Sequence, residues 1–369
     1  MNTMSKSLRI VTIVGARPQF IKAAAMIRAL AGSSTKIVHR LLHTGQHYDR
    51  DMSARFFKEL DIPRPAVNLG IGGGTHGAMT GRMLIAIERA LLKMRPDWAL
   101  VYGDTDSTLA GALAAAKLHI PVAHVEAGLR SFNRKMPEEI NRVLTDHMSQ
   151  LLLCPTTTAV DNLAREGINA HTELVGDVMY DVALYYRSGI PASALDRLGV
   201  RSRGYFLATC HRAENTDDPA RLRSVVEALR RVATLAPVLL PLHPRTRNRF
   251  DTLKIKPPLN VRVIPPVGYK DMLILESEAK AVLTDSGGVQ KEAYFFGVPC
   301  ITLRPETEWV ETVQTGWNTL VGVDSQKTFE AATRVDEVRA LPRPSLYGDG
   351  NAAQKIIEHL IRASTSSLR

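Results

Sequence analysis

The sequence predicts an α/β fold of two Rossmann-like, doubly wound domains, and three observations carry that expectation. Short, wholly apolar runs alternate with segments of helical period. The runs end in glycine or polar turns, not in hairpin signals, and the series stops midway and starts again. A strand buried on both faces reads as a continuous apolar run, and strand–helix alternation is the signature of a parallel sheet. At 369 residues the chain exceeds what one core ordinarily holds. The expected division is 1–185 and 186–350, with 351–369 a terminal helix crossing back to the first domain.

Leu8 to Val14 is the first strand, running into Gly15-Ala16-Arg17-Pro18 and then a helix over Phe20 to Leu30. Strand, glycine turn and helix make an anion site, and Arg17 and Lys22 stand where a helix dipole alone would favour acids. Ile37 to His43 is the second strand. His39, His43 and His47 have a helix-face ligand spacing, but they lie on a strand and loop, so no metal is expected there. Gly72, Gly74 and Gly77 spell G-x-G-x-x-G. They follow the short, proline-marked stretch at Arg64 to Leu69, so the pattern reads as a loop before a helix over Met79 to Leu92 and not as a dinucleotide site.

Trp98 to Tyr102 ends in Gly103-Asp104-Thr105 before an alanine-rich helix to Lys117. Ile120 to Val125 ends in Glu126, and Pro137 opens the next helix with Glu138 and Glu139 in its first turn. Glu138 and Arg142 are expected to share a face, opposite an apolar face of Ile140, Val143, Leu144 and Met148. Gln150 to Cys154, a helix from Ala159 and a strand over Thr172 to Val178 close the first series, and Gly189 to Arg203 reads as a linking loop. In doubly wound sheets ligands bind beyond the carboxyl ends of strands, so Arg17, Asp104 and Glu126 can converge.

The second series begins at Tyr205 to Cys210, which ends in His211-Arg212-Ala213-Glu214-Asn215. Pro237 to Leu242 ends in His243, and Val261 to Ile264 leads to Gly268-Tyr269. Ala281 to Leu283 ends in Thr284-Asp285-Ser286-Gly287-Gly288 before a helix over Val289 to Phe296. Small residues there let backbone N–H groups approach a phosphate, and Glu292, one turn on, is placed to accept from ribose hydroxyls. Two halves with polar strand ends imply a central cleft with a nucleotide on one side and carboxylates on the other.

A net charge of +10 invites a nucleic-acid reading, but the basic residues are dispersed and aromatics make up 6% of the chain. No nucleic-acid partner is expected. Cys154, Cys210 and Cys300 have neither disulfide nor zinc spacing, which suits a reducing compartment. Membrane-length apolar runs and a signal-like N-terminus are missing from the sequence, so a cytoplasmic protein is expected.

Five motifs, GARPQFIK, YGDTDST, HVEAGLRSFNRKMPEEINR, HRAEN and LTDSGGVQKEA, lie in order across most of the chain. Together they resemble the non-hydrolysing UDP-N-acetylglucosamine 2-epimerase family. The resemblance implies a glycosyltransferase-B architecture, a UDP-sugar substrate, interconversion of UDP-GlcNAc and UDP-ManNAc without a cofactor, and a homodimer. It also implies acid–base roles for Asp104, Glu126, Glu138 and His211, with Lys22 and Arg142 ordering charge at the reacting centre. Arg17, Arg212, His243, Gly268, Tyr269, Ser286, Gly287, Gly288 and Glu292 become the substrate and UDP contacts. Relatives activated by UDP-GlcNAc carry an Arg-Gln pair where this chain has Gly73-Gly74, although Gln46-His47 are kept, so substrate activation is not expected. The variants GGTHGAMTGRML and SFNRKMPEEINR look closer to the branch acting on UDP-2,3-diacetamido-glucuronate, for whose carboxylate Arg130, Arg134 or Lys135 would supply a cation. Glycosyltransferase or nucleotide-sugar sensor are the alternatives from other classes.

Overall fold

Among the described residues of this computed structural model, 7–46, 57–191, 193–242 and 244–366, thirteen strands form two all-parallel sheets. Seven of them, β1 (Leu8–Val14), β2 (Ile37–His43), β3 (Val67–Asn68), β4 (Trp98–Tyr102), β5 (Val122–Val125), β6 (Leu151–Cys154) and β7 (Thr172–Leu174), lie in the order β3-β2-β1-β4-β5-β6-β7. The other six, β8 (Phe206–Thr209), β9 (Val238–Pro241), β10 (Val261–Ile264), β11 (Ala281–Thr284), β12 (Cys300–Thr302) and β13 (Asn318–Leu320), run β10-β9-β8-β11-β12-β13. The described residues fall into two compact units. One runs up to Val182 and takes in the residues from Ser345 on; the other is Ala183–Pro344.

The central strands are apolar because helices cover both faces. In the first unit β1 pairs with β2 from Leu8↔Ile37 to Val14↔His43 and with β4 through Ile10↔Trp98 to Thr12↔Leu100. Val11, Ile13, Ala99 and Val101 pack with Met83, Ile87 and the alanines of the helix Asp106–Lys117. Small side chains let that helix sit close: a Cβ at Gly111 would stand 3.0 Å from Ile13 Cδ1. The last helix, Ala352–Ser366, belongs to the same unit, where Asp181 accepts from Ala352 N at 3.1 Å and Ala353 N at 2.8 Å, and Trp98 Nε1 donates to Ser364 Oγ at 2.8 Å.

In the second unit Phe206, Ala208, Leu240 and Leu283 pack under the helix Pro219–Val232, and Leu207, Leu239 and Val282 fill the other face. The strand expected over Thr172 to Val178 stops at Leu174, because Gly176 turns through φ +91° and the Asp177 carboxylate accepts from Met179 N at 2.8 Å, starting a helix at Val178. The segment expected as a loop, Gly189 to Arg203, contains a short helix, Ala194–Leu198, closed by Gly199 at φ +66°.

Candidate active site

Strand order in the first sheet reverses between β1 and β4, the place where a doubly wound sheet opens a crevice at its carboxyl edge. Gln19 ties the two strand ends together. Its Oε1 accepts from Gly15 N at 2.7 Å and Ala16 N at 3.0 Å, while its Nε2 donates to Tyr102 O and Thr108 Oγ1, both at 2.9 Å. Gly15 is required, since a Cβ would lie 2.0 Å from Ser107 Oγ and 2.2 Å from Thr44 Oγ1. Gln46 accepts from Ser107 N at 3.1 Å and from Ser107 Oγ at 2.6 Å; His47 lies outside the described residues. Gly73 and Gly74, both at positive φ, form a loop ahead of the helix His76–Met94, pinned by Arg82 Nη2 on Gly73 O at 2.7 Å.

Beside that crevice Glu126 ends β5 in a left-handed backbone conformation, φ +71°, and forms a buried ion pair with Lys22. A non-glycine residue pays ~1–2 kcal/mol for such a backbone. Close approach requires Gly103 as well: at φ +60° its Cβ would stand 3.1 Å from both Glu126 Oε2 and Lys22 Nζ. Arg17 is half-buried at the start of the helix Arg17–Ala31.

The helix Pro137–Met148 corrects the expected face. Ile140 and Leu144 are exposed, whereas Glu139, Asn141, Arg142, Thr145 and Asp146 are buried. Arg142 forms an ion pair with Asp104 and donates to Glu139 Oε2 at 2.8 Å, so its helical partner is Glu139 and not Glu138. Glu139 also accepts from Ser131 N and Phe132 N, each at 2.9 Å, which fixes the preceding loop. Asn141 donates to Asp104 O at 3.0 Å and to Asp106 Oδ1 at 3.2 Å. The reason for the inversion is that polar strand ends and loop amides give this face its partners. Glu138 is exposed and makes no hydrogen bond or ion pair among the described residues.

Arg130 is not available as a substrate cation. Its guanidinium is buried, with Nε 2.7 Å and Nη2 2.8 Å from the Glu166 carboxylate and Nη1 2.7 Å from Asp146 Oδ2. That contact holds the Glu166 carboxyl below its usual range. Asp146 also meets His124 Nδ1 at 2.7 Å, and His124 Nε2 donates to Gly103 O at 2.7 Å, so this network reaches the turn that carries Asp104. Arg134 and Lys135 are exposed.

The second sheet reverses between β8 and β11, and there Asp285 plays the part that Gln19 plays in the first. Its carboxylate accepts from His211 N at 3.1 Å, Arg212 N at 3.1 Å and Asn215 Nδ2 at 3.1 Å. The exposed His211 ring stands 3.7 Å from Asp285 through Nδ1, and Arg212 Nη2 is 4.0 Å from Glu308 Oε1. Ser286, Gly287 and Gly288 are half-buried at the start of the helix Gly287–Phe295. Gly287 sits against Glu308, which the buried Arg304 holds through Nη1 at 3.1 Å. Gly268 is buried before the helix Tyr269–Ser277, and Tyr269 OH donates to Glu292 Oε1 at 2.9 Å, both side chains buried. His243 lies outside the described residues.

Sequence reasoning passed over Gln19, Glu139, Asp146, Asp285, Arg304 and Glu308, whose partners lie far along the chain or across a helix turn. A glutamine after a glycine turn and the second acid of Pro-Glu-Glu were the visible signals. Among the described residues no group of three or more His, Cys, Asp or Glu could hold a metal ion, and no helix is long and apolar enough to cross a membrane.

Comparison with known proteins adds four findings. Residues 29–361 match the family model described as UDP-N-acetylglucosamine 2-epimerase. The chain is 53% identical over 360 residues, 96% of its length and 100% of the relative's, to the UDP-2,3-diacetamido-2,3-dideoxy-D-glucuronate 2-epimerase of Pseudomonas aeruginosa. It is 52% identical to a UDP-N-acetylglucosamine 2-epimerase homolog of Methanococcus maripaludis, over 96% of this chain and 99% of that one. Among solved structures, the Methanocaldococcus jannaschii UDP-GlcNAc 2-epimerase in complex with UDP-GlcNAc and UDP superposes with a TM-score of 0.87 at 44% identity, covering 97% of this chain and 100% of that one.

Proposed function

The chain belongs to the UDP-N-acetylglucosamine 2-epimerase family, and from that membership we propose that it inverts C2 of a UDP-linked 2-acetamido sugar. The observation that carries the reading is the buried Lys22–Glu126 pair, held on a left-handed backbone beside Gly103 and the Asp104–Arg142 pair. A carboxylate kept at a strand end at a conformational cost, with a cation against it, is a group arranged for proton transfer.

The C2 proton is too weakly acidic to be removed alone, so its loss accompanies cleavage of the C1–O bond. A base takes the proton, UDP departs with the bonding electrons, and a C1=C2 double bond forms, giving a 2-acetamidoglucal. UDP oxygen then adds back to C1 while an acid delivers a proton to the opposite face of C2. Nothing is consumed. In this reading Asp104, Glu126, Glu138 and His211 supply the acid–base groups, and Lys22 and Arg142 set the charge of the carboxylates they touch. Ser286, Gly287, Gly288 and Arg212 hold the diphosphate, where backbone N–H groups and a guanidinium stabilise the departing charge. Glu292 accepts from the ribose, with Gly268 and Tyr269 shaping its surroundings. Arg17 and His243 complete the substrate contacts.

UDP-GlcNAc is the first substrate of this reading. A second, UDP-2,3-diacetamido-2,3-dideoxy-glucuronate, is favoured by one specific observation, the match to the P. aeruginosa enzyme over its whole length. Arg134 and Lys135 are then the cations for its carboxylate, since Arg130 is taken by Asp146 and Glu166. The enzyme acts in the cytoplasm as a homodimer. Incubation with each sugar nucleotide in deuterated water is the test: deuterium at C2 of both epimers identifies the substrate. Absence of exchange with both refutes the reaction and leaves transferase or sensor.

A further inference from the structure

The strand β5 carries one polar side chain that the elimination does not use. His124 is wholly buried, between Ala123 and Val125 on a strand whose other residues are apolar. Its ring lies between two acceptors. Nε2 stands 2.7 Å from Gly103 O and Nδ1 2.7 Å from Asp146 Oδ1, and turning the ring over would set carbon against both oxygens. A carbonyl oxygen only accepts, so Nε2 carries a hydrogen and donates it. Asp146 holds the ring in that orientation, being itself fixed by Arg130 Nη1 at 2.7 Å and Gly128 N at 3.1 Å. Packing alone gives no reason for a ring with two buried nitrogens here, since leucine fills such a space without a polar group to satisfy.

What this donor grips is a glycine. A Cβ on Gly103 would stand 3.1 Å from both Glu126 Oε2 and Lys22 Nζ, so no side chain fits, and at φ +60° none restrains the peptide that follows. Hydrogen bonds supply the restraint. Gly103 N donates to Val125 O at 3.0 Å while His124 Nε2 holds Gly103 O, so consecutive residues of β5 grip the glycine from both sides. The chain around this joint is anchored as well. Tyr102 O accepts from Gln19 Nε2 at 2.9 Å and Thr108 Oγ1 at 2.7 Å, and Thr105 caps the next helix by accepting from Thr108 N at 3.3 Å. Asp104 stands between the joint and the cap, with its carboxylate on Arg142.

We propose that His124 is a positioning residue for inversion at C2: by latching the peptide between Gly103 and Asp104 it holds the Asp104 carboxylate against Arg142, beside the Lys22–Glu126 pair. The proposal rests on the assignment of Asp104 to proton transfer. Being wholly buried, His124 acts through the backbone and not on substrate. Displacing an acid–base group by about 1 Å lowers turnover by up to ~100-fold, whereas substrate binding, carried by other contacts, is left nearly unchanged.

The test is C2 deuterium exchange by the full chain, with UDP-GlcNAc and with UDP-2,3-diacetamido-2,3-dideoxy-glucuronate, alongside thermal unfolding. It compares wild type, His124→Leu, His124→Gln, Asp146→Asn and Asp104→Asn. Leucine removes the donor and is expected to lower kcat about ten- to a hundredfold, with KM within about twofold of wild type. Glutamine places an N–H near the position of Nε2 and is expected to keep kcat within about threefold. Asp146→Asn leaves Arg130 with Glu166 alone, yet its amide N–H still faces His124 Nδ1, so it is expected to lose stability and keep turnover. A purely structural role predicts instead that every variant loses stability while the folded protein keeps its turnover. The latch is overturned by a kcat within about twofold of wild type in His124→Leu, or by equal losses in the leucine and glutamine variants. Should the leucine variant not fold, a kcat about tenfold lower in folded His124→Gln or Asp146→Asn overturns it. Those results leave the reaction standing while Asp104→Asn still lowers kcat. Wild-type turnover in Asp104→Asn refutes the assignment of Asp104, and no exchange by wild type with either sugar nucleotide refutes the reaction; the proposal falls with either.

Discussion

Replacing Gly287 by alanine tests whether the helix start at Ser286 to Gly288 carries the diphosphate. The added Cβ would stand 2.4 Å from Glu308 Oε1 and 3.2 Å from Trp309 Nε1. Glu308 must retreat by about 1 Å to reach 3.4 Å, where ordinary contact begins. It is not free to do so, because Arg304, itself buried, holds its other oxygen at 3.1 Å. Overpacking of this kind costs ~1–3 kcal/mol of stability. In the proposed reading the backbone N–H groups of this helix start hold an anion, and a backbone shifted by the methyl misdirects them. Losing one charge-assisted hydrogen bond, worth ~1.5–3 kcal/mol, weakens UDP binding by roughly ten- to a hundredfold. Gly288→Ala separates the two effects, since the nearest atom to its Cβ is Ser286 Oγ at 3.9 Å and the fold has room for it. Calorimetric titration with UDP and thermal unfolding of both variants read out the result. UDP affinity within twofold of wild type in both, with each folded, would remove this helix start from the site.

Three further outcomes are expected. Glu126→Gln and Glu138→Gln each lower turnover at least ~100-fold in the C2 exchange assay. They separate in thermal unfolding, because the first leaves Lys22 buried without its counter-charge, at a cost of ~3–5 kcal/mol, and the second changes an exposed residue; near-normal turnover in either variant would take that carboxylate out of the mechanism. Gly128→Ala is expected to lose ~2–3 kcal/mol or more in urea titration, since a Cβ would lie 2.3 Å from the Ala159 carbonyl oxygen at φ +81°, and unchanged stability would contradict that contact. Asp181 is raised by burial from 3.8 to about 6, so the folded state binds its proton more tightly than the unfolded one. Its contribution is full below pH 3.8 and is lost as pH rises through about 6, an effect of at most ~3 kcal/mol. Urea titrations from pH 4 to 7 should show wild type losing stability relative to Asp181→Asn, and parallel profiles would refute the shift.

The alternation of buried strands and helices was legible because a parallel sheet covered on both faces leaves an apolar run for each strand. The polar turns after β1, β4, β5, β8 and β11 were legible because glycines and charged residues interrupt that run at its carboxyl end. The orientation of the helix Pro137–Met148 was not. Apolar residues at Ile140 and Leu144 pointed to the wrong face, since what decides burial there is a set of partners at Asp104, Asp106, Ser131 and Phe132. Arg130 was misread for the same reason: Asp146 and Glu166, which claim its guanidinium, lie 16 and 36 positions away. Glu276 was hidden on the helix Tyr269–Ser277, where nothing local distinguishes a buried acid from an exposed one.

The two units also share a construction that accounts for where their functional residues stand. In each sheet the two strands flanking the order reversal have their carboxyl ends tied by one polar side chain, Gln19 between β1 and β4 and Asp285 between β8 and β11. Backbone amides left over at a strand end need acceptors, and burial forbids water from serving. Gln19, on the helix after β1, and Asp285, directly after β11, supply these acceptors, and Arg17 and Asp104 in one unit and Arg212 and Ser286 in the other stand next to the tied strand ends. Gln19 is neutral and leaves the carboxylates beside it to be balanced by Lys22 and Arg142. The Asp285 carboxylate accepts from three N–H donors on the loop after β8, away from the helix start at Gly287. In the proposed reading the first unit brings carboxylates paired with cations to proton transfer and the second holds a diphosphate.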